Sequence, residues 1–304
     1  MRRLIRWALV LGVIAAAVGW FLTAPKRLNA DDLASYPSGE MARGEYVFWA
    51  GGCASCHAAP KSSGDAKKVL AGGVAFKTPF GIFYAPNISP DREQGLGNWS
   101  LADFANAMKK GVSPDGAHYY PAFPFTSYAG MTPQDVADLW AFMKQLPVST
   151  AKVPDHDLPF PFNIRRGLGL WKLLYASDAP VLDVDAGNAQ LLRGQYLVEV
   201  LAHCGACHTP RNLIGGPDNG RWLAGGISPE GGEKTPNLTP HATGIGGWSA
   251  SEIADSLKTG FTPEFDSFGS SMADVVENMA RLTDEDRAAI AAYLKAVPPV
   301  ENRP

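Results

Sequence analysis

The sequence predicts an all-α chain in which one helical domain occurs twice in tandem behind an N-terminal transmembrane helix. Three observations carry this: an apolar run at the amino terminus, a self-match at an offset of about 150 residues, and helix start and stop signals recurring in both halves. Hydrophobic residues make up 46% and charged residues 19% of 304 positions, enough to bury cores, so disordered and multi-span membrane classes are excluded. A net charge of −3 leaves no electrostatic footprint for nucleic acid. The 32 Gly and 24 Pro, spread without low-complexity runs, imply short helices joined by long loops.

Residues 1–30 form the first element. Arg2, Arg3 and Arg6 lie at the start of an uncharged stretch over 7–23, which is longer than a usual signal-peptide apolar region and at the short limit for a span. Lys26 and Arg27 follow, and Leu28-Asn29-Ala30 is only a weak cleavage site, so an uncleaved anchor is expected and a cleaved signal is the alternative. The three leading Arg place the amino terminus in the cytoplasm and the rest outside.

The two domains are expected over 38–147 and 187–304, with a connector over 148–186. Gly44-Glu45-Tyr46 recurs as Gly194-Gln195-Tyr196, Pro86-Asn87-Ile88-Ser89-Pro90 as Pro236-Asn237-Leu238-Thr239-Pro240, and Gly97-Asn98-Trp99-Ser100 as Gly246-Gly247-Trp248-Ser249. A first helix, over about 41–51 and 191–202, runs into the cysteines of each half. Middle helices open on the capping boxes Ser100/Asp103 and Ser249/Glu252 and stop at Gly111 and Gly260. Last helices open at Thr132-Pro133 and Thr283-Asp284, with apolar stripes Leu139, Trp140, Met143 and Ile290, Tyr293, Leu294, Val297. In the connector, prolines keep the start extended, and 164–175 reads as a short amphipathic helix packing across both domains. Trp171, Arg165 and Arg166 there are types enriched at interfaces.

All four cysteines fall in Cys53-Ala54-Ser55-Cys56-His57 and Cys204-Gly205-Ala206-Cys207-His208. This is the haem c attachment pattern: thiols three residues apart on a helical turn add to the two vinyl groups, and the adjacent His ligates the iron. Two covalently bound haem c are therefore predicted, on Cys53 and Cys56 with His57 and on Cys204 and Cys207 with His208. A zinc site shared between the two pairs, a thioredoxin-type pair and structural disulfides account less well for the two histidines. For the sixth ligand, loop position favours Met131, and Met272 with Met279 as competitor, while Met108 and Met143 read as core. His118, His156, His203 and His241 are spare alternatives, and Trp99 and Trp248 are expected to pack against haem or core.

At these residues the chain resembles dihaem class I c-type cytochromes, in particular the membrane-bound cytochrome c subunits of periplasmic alcohol, aldehyde and sugar-acid dehydrogenases. The likeness covers nearly all of the chain after residue 38, including PNISPD over 86–91, YPAFPFTSYAGMTPQDVADLWAFMKQLP over 120–147, FPFNIRRGLGLWKLLY over 160–175, CHTPRN over 207–212 and the ending from Met272. It implies a cytochrome c fold in each half, with Met272 as axial ligand of the second haem. Those subunits commonly carry three haems where this chain has two, so quinone reduction is not carried over. Their first domain often has Met where this chain has Phe123, and Met131 takes the role. The resemblance implies an inner-membrane, single-pass electron carrier with its haem domains in the periplasm. Its donor would be a periplasmic dehydrogenase, and its acceptor a soluble cytochrome, a copper protein or a terminal oxidase. The rival class is a dihaem enzyme, a peroxidase or a thiosulfate-oxidising cytochrome, whose loop sequences or fifth Cys are not found.

Overall fold

The computed structural model describes residues 1–229 and 232–302. Residues 230, 231, 303 and 304 of the expected second domain lie outside the described residues. Helix α1 (Arg2–Leu22) has 21 residues, none of them buried. At 1.5 Å per residue it is about 31 Å long, close to the thickness of a bilayer's hydrocarbon core. It ends at Thr23, and a short α2 (Ala30–Ala34), capped by Asn29, leads into the first domain.

The first domain is built from α3 (Met41–Ala50), α4 (Cys53–His57), the hairpin β1 (Ala75–Thr78) and β2 (Gly81–Tyr84), α5 (Leu101–Lys110), α6 (Phe125–Tyr128) and α7 (Pro133–Met143). Ser100 and Asp103 close the expected capping box, Gly111 ends α5 in the left-handed conformation, and Pro133 opens α7 behind Thr132. Helix α3 crosses α7 at Gly44, where an added Cβ would lie 2.0 Å from the Asp138 carbonyl oxygen; only glycine permits that approach. The crossing buries Phe48, Val136 and Leu139 almost completely, each contributing about 2 kcal/mol of apolar transfer.

After the connector, whose helix α8 covers Leu168–Tyr175, the same plan repeats. The second domain contains α9 (Ala189–Gln195), α10 (Gly205–His208), the ribbon β3 (Gly226–Ile227) and β4 (Lys234–Thr235), α11 (Ala250–Thr259), α12 (Ser271–Met279) and α13 (Asp284–Ala296). Gly194 meets the Ala289 carbonyl as Gly44 meets Asp138, again at 2.0 Å from an added Cβ. Ser249 and Glu252 cap α11, Gly260 ends it, and Ile290, Tyr293, Leu294 and Val297 are all buried.

Two details differ from the sequence expectation. The helix expected over 191–202 is α9 followed by a π-helical turn, Tyr196–Leu201, in which the Ala202 N–H reaches back five residues to the Leu197 carbonyl at 2.8 Å. The mainly helical architecture also carries two antiparallel ribbons, Ala75–Thr78 with Gly81–Tyr84 and Gly226–Ile227 with Lys234–Thr235, in the loops after the cysteine turns. These strands are too short to leave a period-2 signal.

The domains meet through reciprocal contacts. The Tyr46 hydroxyl on α3 donates to Asp286 on α13, and the Tyr196 hydroxyl donates to Asp135 on α7. Tyr46 and Tyr196 occupy equivalent positions, as do Asp135 and Asp286, so the two bonds are related by a pseudo-two-fold axis. Around that axis lies a cavity of about 220 Å³ lined by Arg43, Tyr46, Val47, Asp135, Arg193 and Leu201. Burial works against the charge on Asp286, but hydrogen bonds from Arg193 and Tyr46 outweigh it and hold the carboxyl below its usual range. Burial, with Asp286 beside it, pushes the Tyr46 hydroxyl up to about 12.

Candidate haem attachment site

Each cysteine turn begins where the first helix of its domain stops. Helix α3 ends at Gly51, and Gly52 (φ +65°) turns the chain so that Cys53, Cys56 and His57 share one helical turn. In the second half His203 takes the place of Gly52 and is itself left-handed (φ +40°), a conformation rare for a residue with a Cβ. The four cysteines form no disulfide. Burial pushes the Cys53 and Cys204 thiols up to about 12, the opposite of the lowered value a thioredoxin-type redox pair needs.

The histidines carry the clearest signal. His57 Nδ1 lies 2.9 Å from the Pro86 carbonyl oxygen, and His208 Nδ1 lies 2.9 Å from that of Pro236. A carbonyl only accepts, so Nδ1 carries the proton and Nε2 keeps the lone pair that a metal requires. Burial lowers the pKa of both imidazoles, which favours the neutral, ligating form. The loop supplying each carbonyl is fixed alike in the two halves. Asn87 Oδ1 accepts from the Ser89 N–H at 2.9 Å, as Asn237 Oδ1 accepts from Thr239 at 2.8 Å, and each amide group donates to the chain after its last helix, at Ser149 or Val300. A half-buried dithiol turn and an imidazole oriented by a carbonyl fit a covalent haem in both halves.

The other expected site residues are placed differently in the two domains. Met131 is 1% exposed, one residue before the Thr132 cap of α7. Met272 is half-buried in the first turn of α12, while Met279, its competitor, is buried at the end of that helix. Met108 and Met143 lie in the core, as expected. The spare histidines have other partners: His118 Nε2 approaches the Thr23 carbonyl at 2.9 Å, His156 Nδ1 accepts from the Tyr84 N–H, and His241 Nδ1 accepts from that of Thr243. Trp99 and Trp248 pack against the core at matched positions.

Sequence reasoning missed the residues that bring the two turns together. Asn278 of α12, buried, donates to Ser55 Oγ between the two cysteines of the first turn at 2.8 Å. The Tyr128 hydroxyl donates to the Gly51 carbonyl at 2.7 Å, and its ring meets His203 edge-on at 5.5 Å. A Cβ on Gly52 would lie 3.9 Å from His203 Nε2, so the residues preceding Cys53 and Cys204 are neighbours in space. Lys67, 6% exposed, bridges to Asp274 and Glu277 of α12 at 2.7 and 2.6 Å, and the Arg281 guanidinium lies 3.8 Å from the Trp49 ring centre.

Fold and site together define a tandem haem c protein, mainly helical, with one attachment turn per domain. The cytochrome c family model matches residues 41–147 and 192–298, and the chain belongs to that family, carrying two covalently bound haem c. It is 53% identical over 301 residues to a "Diheme cytochrome c-type" of Cereibacter sphaeroides, covering 99% of this chain and 100% of that one. It is 39% identical over 262 residues to the "Fructose dehydrogenase cytochrome subunit" of Gluconobacter japonicus, covering 85% of this chain and 52% of that one. It is 36% identical over 299 residues to the "Alcohol dehydrogenase (quinone), cytochrome c subunit" of Gluconobacter oxydans, covering 94% of this chain and 60% of that one. The chain is thus related to dehydrogenase cytochrome subunits, and electron transfer follows as its role.

Proposed function

We propose that the protein is a membrane-anchored periplasmic carrier that takes electrons from a dehydrogenase and passes them to a soluble cytochrome, a copper protein or a terminal oxidase. The observation that carries this reading is the abutment of the two attachment turns through Gly51, Gly52, Tyr128 and His203. Bound haem supplies one-electron exchange between ferric and ferrous iron. Cys53, Cys56, Cys204 and Cys207 would hold the two groups, and His57, His208, Met131 and Met272 would ligate their irons. The Pro86 and Pro236 carbonyls fix the imidazole orientation. Helix α1 is the single inner-membrane anchor, with the Arg-rich end in the cytoplasm.

The test is to isolate the protein from native membranes with its tightest partner and ask which added substrate reduces its haems. Reduction by a sugar, alcohol or sugar-acid substrate through a copurified dehydrogenase, with both haems low-spin and indifferent to carbon monoxide, is the expected result. Turnover of peroxide or thiosulfate by the protein alone, faster than by free haem, would overturn it in favour of a dihaem enzyme.

A further inference from the structure

The connector leaves one feature unexplained by electron transfer. Leu170, Leu173 and Leu174 on α8 are 57%, 51% and 61% exposed, and their spacing places them on one face. Phe160 and Ile164, just before the helix, are 78% and 50% exposed. The opposite face is well fixed. Trp171 Nε1 donates to the Ile214 carbonyl at 3.0 Å, and Lys172 Nζ donates to the carbonyls of Lys110 and Gly111 at 2.7 and 2.6 Å, capping α5. Contacts to both domains therefore hold an apolar face outward, where water alone would penalise it.

The position of this face identifies what covers it. Gly169 lies against Thr23, the residue that ends α1, so closely that a Cβ would come 2.2 Å from the Thr23 carbonyl oxygen. The Arg166 guanidinium lies 4.1 Å from the centre of the Trp20 ring and donates to the Trp20 carbonyl. Trp is the residue type that concentrates at the membrane–water boundary, and Lys26 and Arg27 follow α1 within a few residues of Thr23. Helix α8 thus begins where the apolar helix ends.

We infer that α8 and the segment from Phe160 lie in the outer headgroup layer as an interfacial helix, with Leu170, Leu173 and Leu174 inserted among the lipids. This rests on the reading of α1 as a retained anchor. It fixes the orientation of the haem domains on the membrane instead of leaving them on a free tether.

The test uses the full-length holoprotein in native membranes with the photoreactive residue p-benzoylphenylalanine in place of Leu173, and separately in place of Val10 in α1. Adducts are identified by mass spectrometry after irradiation. The same probe at Leu170 and Leu174 repeats the reading on the same face, and two haems per chain certify that each variant folds. Lipid adducts at both positions are expected, with the yield at position 173 at least several-fold above that of the same protein in detergent without lipid. Lipid at position 10 but only a protein adduct or none at 173 overturns the interfacial helix and leaves the anchor. Lipid at 173 on a mature chain lacking α1 supports the interfacial helix and overturns the anchor. No lipid at either position overturns both.

Discussion

The two domains share the histidine side of their attachment site and differ in the loop that carries the proposed sixth ligand. On the histidine side, Pro86 and Pro236, Asn87 and Asn237, and Ser89 and Thr239 repeat the same hydrogen bonds to within about 0.1 Å. On the methionine side, a four-residue α6 precedes Met131 in the first domain, whereas the nine-residue α12 spans Met272 to Met279 in the second. Covalent attachment leaves little freedom in the first geometry, while the sixth ligand and its burial set the potential, so this is where two copies can acquire different ones.

The largest effect expected from disturbing this comparison comes from the shared side. Replacing Cys53 and Cys56 together by Ala, or Cys204 and Cys207, removes one of the two haems in either case, measured as haem per chain. Next come the methionines. Leu in place of Met131 or Met272 nearly preserves volume, costing under about 1.5 kcal/mol, yet converts that haem alone to high spin. Met279→Leu leaves both spectra low-spin, and the reverse pattern would exchange the roles of Met272 and Met279.

The interface gives a smaller and unequal effect. Asp286 keeps two bonds from Arg193, at 2.8 and 2.6 Å, when Tyr46 is lost, but Asp135 has Arg43 only at 3.8 Å when Tyr196 is lost. Tyr196→Phe is therefore expected to lower unfolding stability more than Tyr46→Phe, with costs of about 1–3 kcal/mol in denaturant titrations. The carboxyl of Asp286 titrates lower when folded than when unfolded, so its contribution is fully present above the unfolded value near pH 4 and is lost as pH falls through the lower folded value. Thermal midpoints should fall on acidification below about pH 4. Arg193→Met should flatten that part of the profile. The smallest effect is symmetric: Ser100→Ala and Ser249→Ala remove equivalent caps and should each cost about 1 kcal/mol.

What could be read from the sequence was what is local along the chain. Caps at Ser100, Thr132, Ser249 and Thr283, stops at Gly111 and Gly260, and both Cys-x-x-Cys-His turns depend on neighbours within a few residues. The interface was not readable, because Tyr46 and Asp286, Lys67 and Glu277, and Ser55 and Asn278 are each more than two hundred residues apart and no periodicity links them. The π turn at Tyr196–Leu201 escaped because its apolar pattern is that of an ordinary helix. His203 was noted only as a spare imidazole; its packing against Tyr128 depends on the whole docked arrangement.

The reciprocal bonds of Tyr46 to Asp286 and Tyr196 to Asp135 also bear on the history of the chain. A contact in which the same patch serves both partners is what a homodimer of a single domain makes, and there each favourable substitution counts twice. A one-haem ancestor could have paired in this way before its gene was duplicated and joined, and the join made the partner permanent at a fixed local concentration. Freed from having to suit both copies at once, each methionine loop could then change alone.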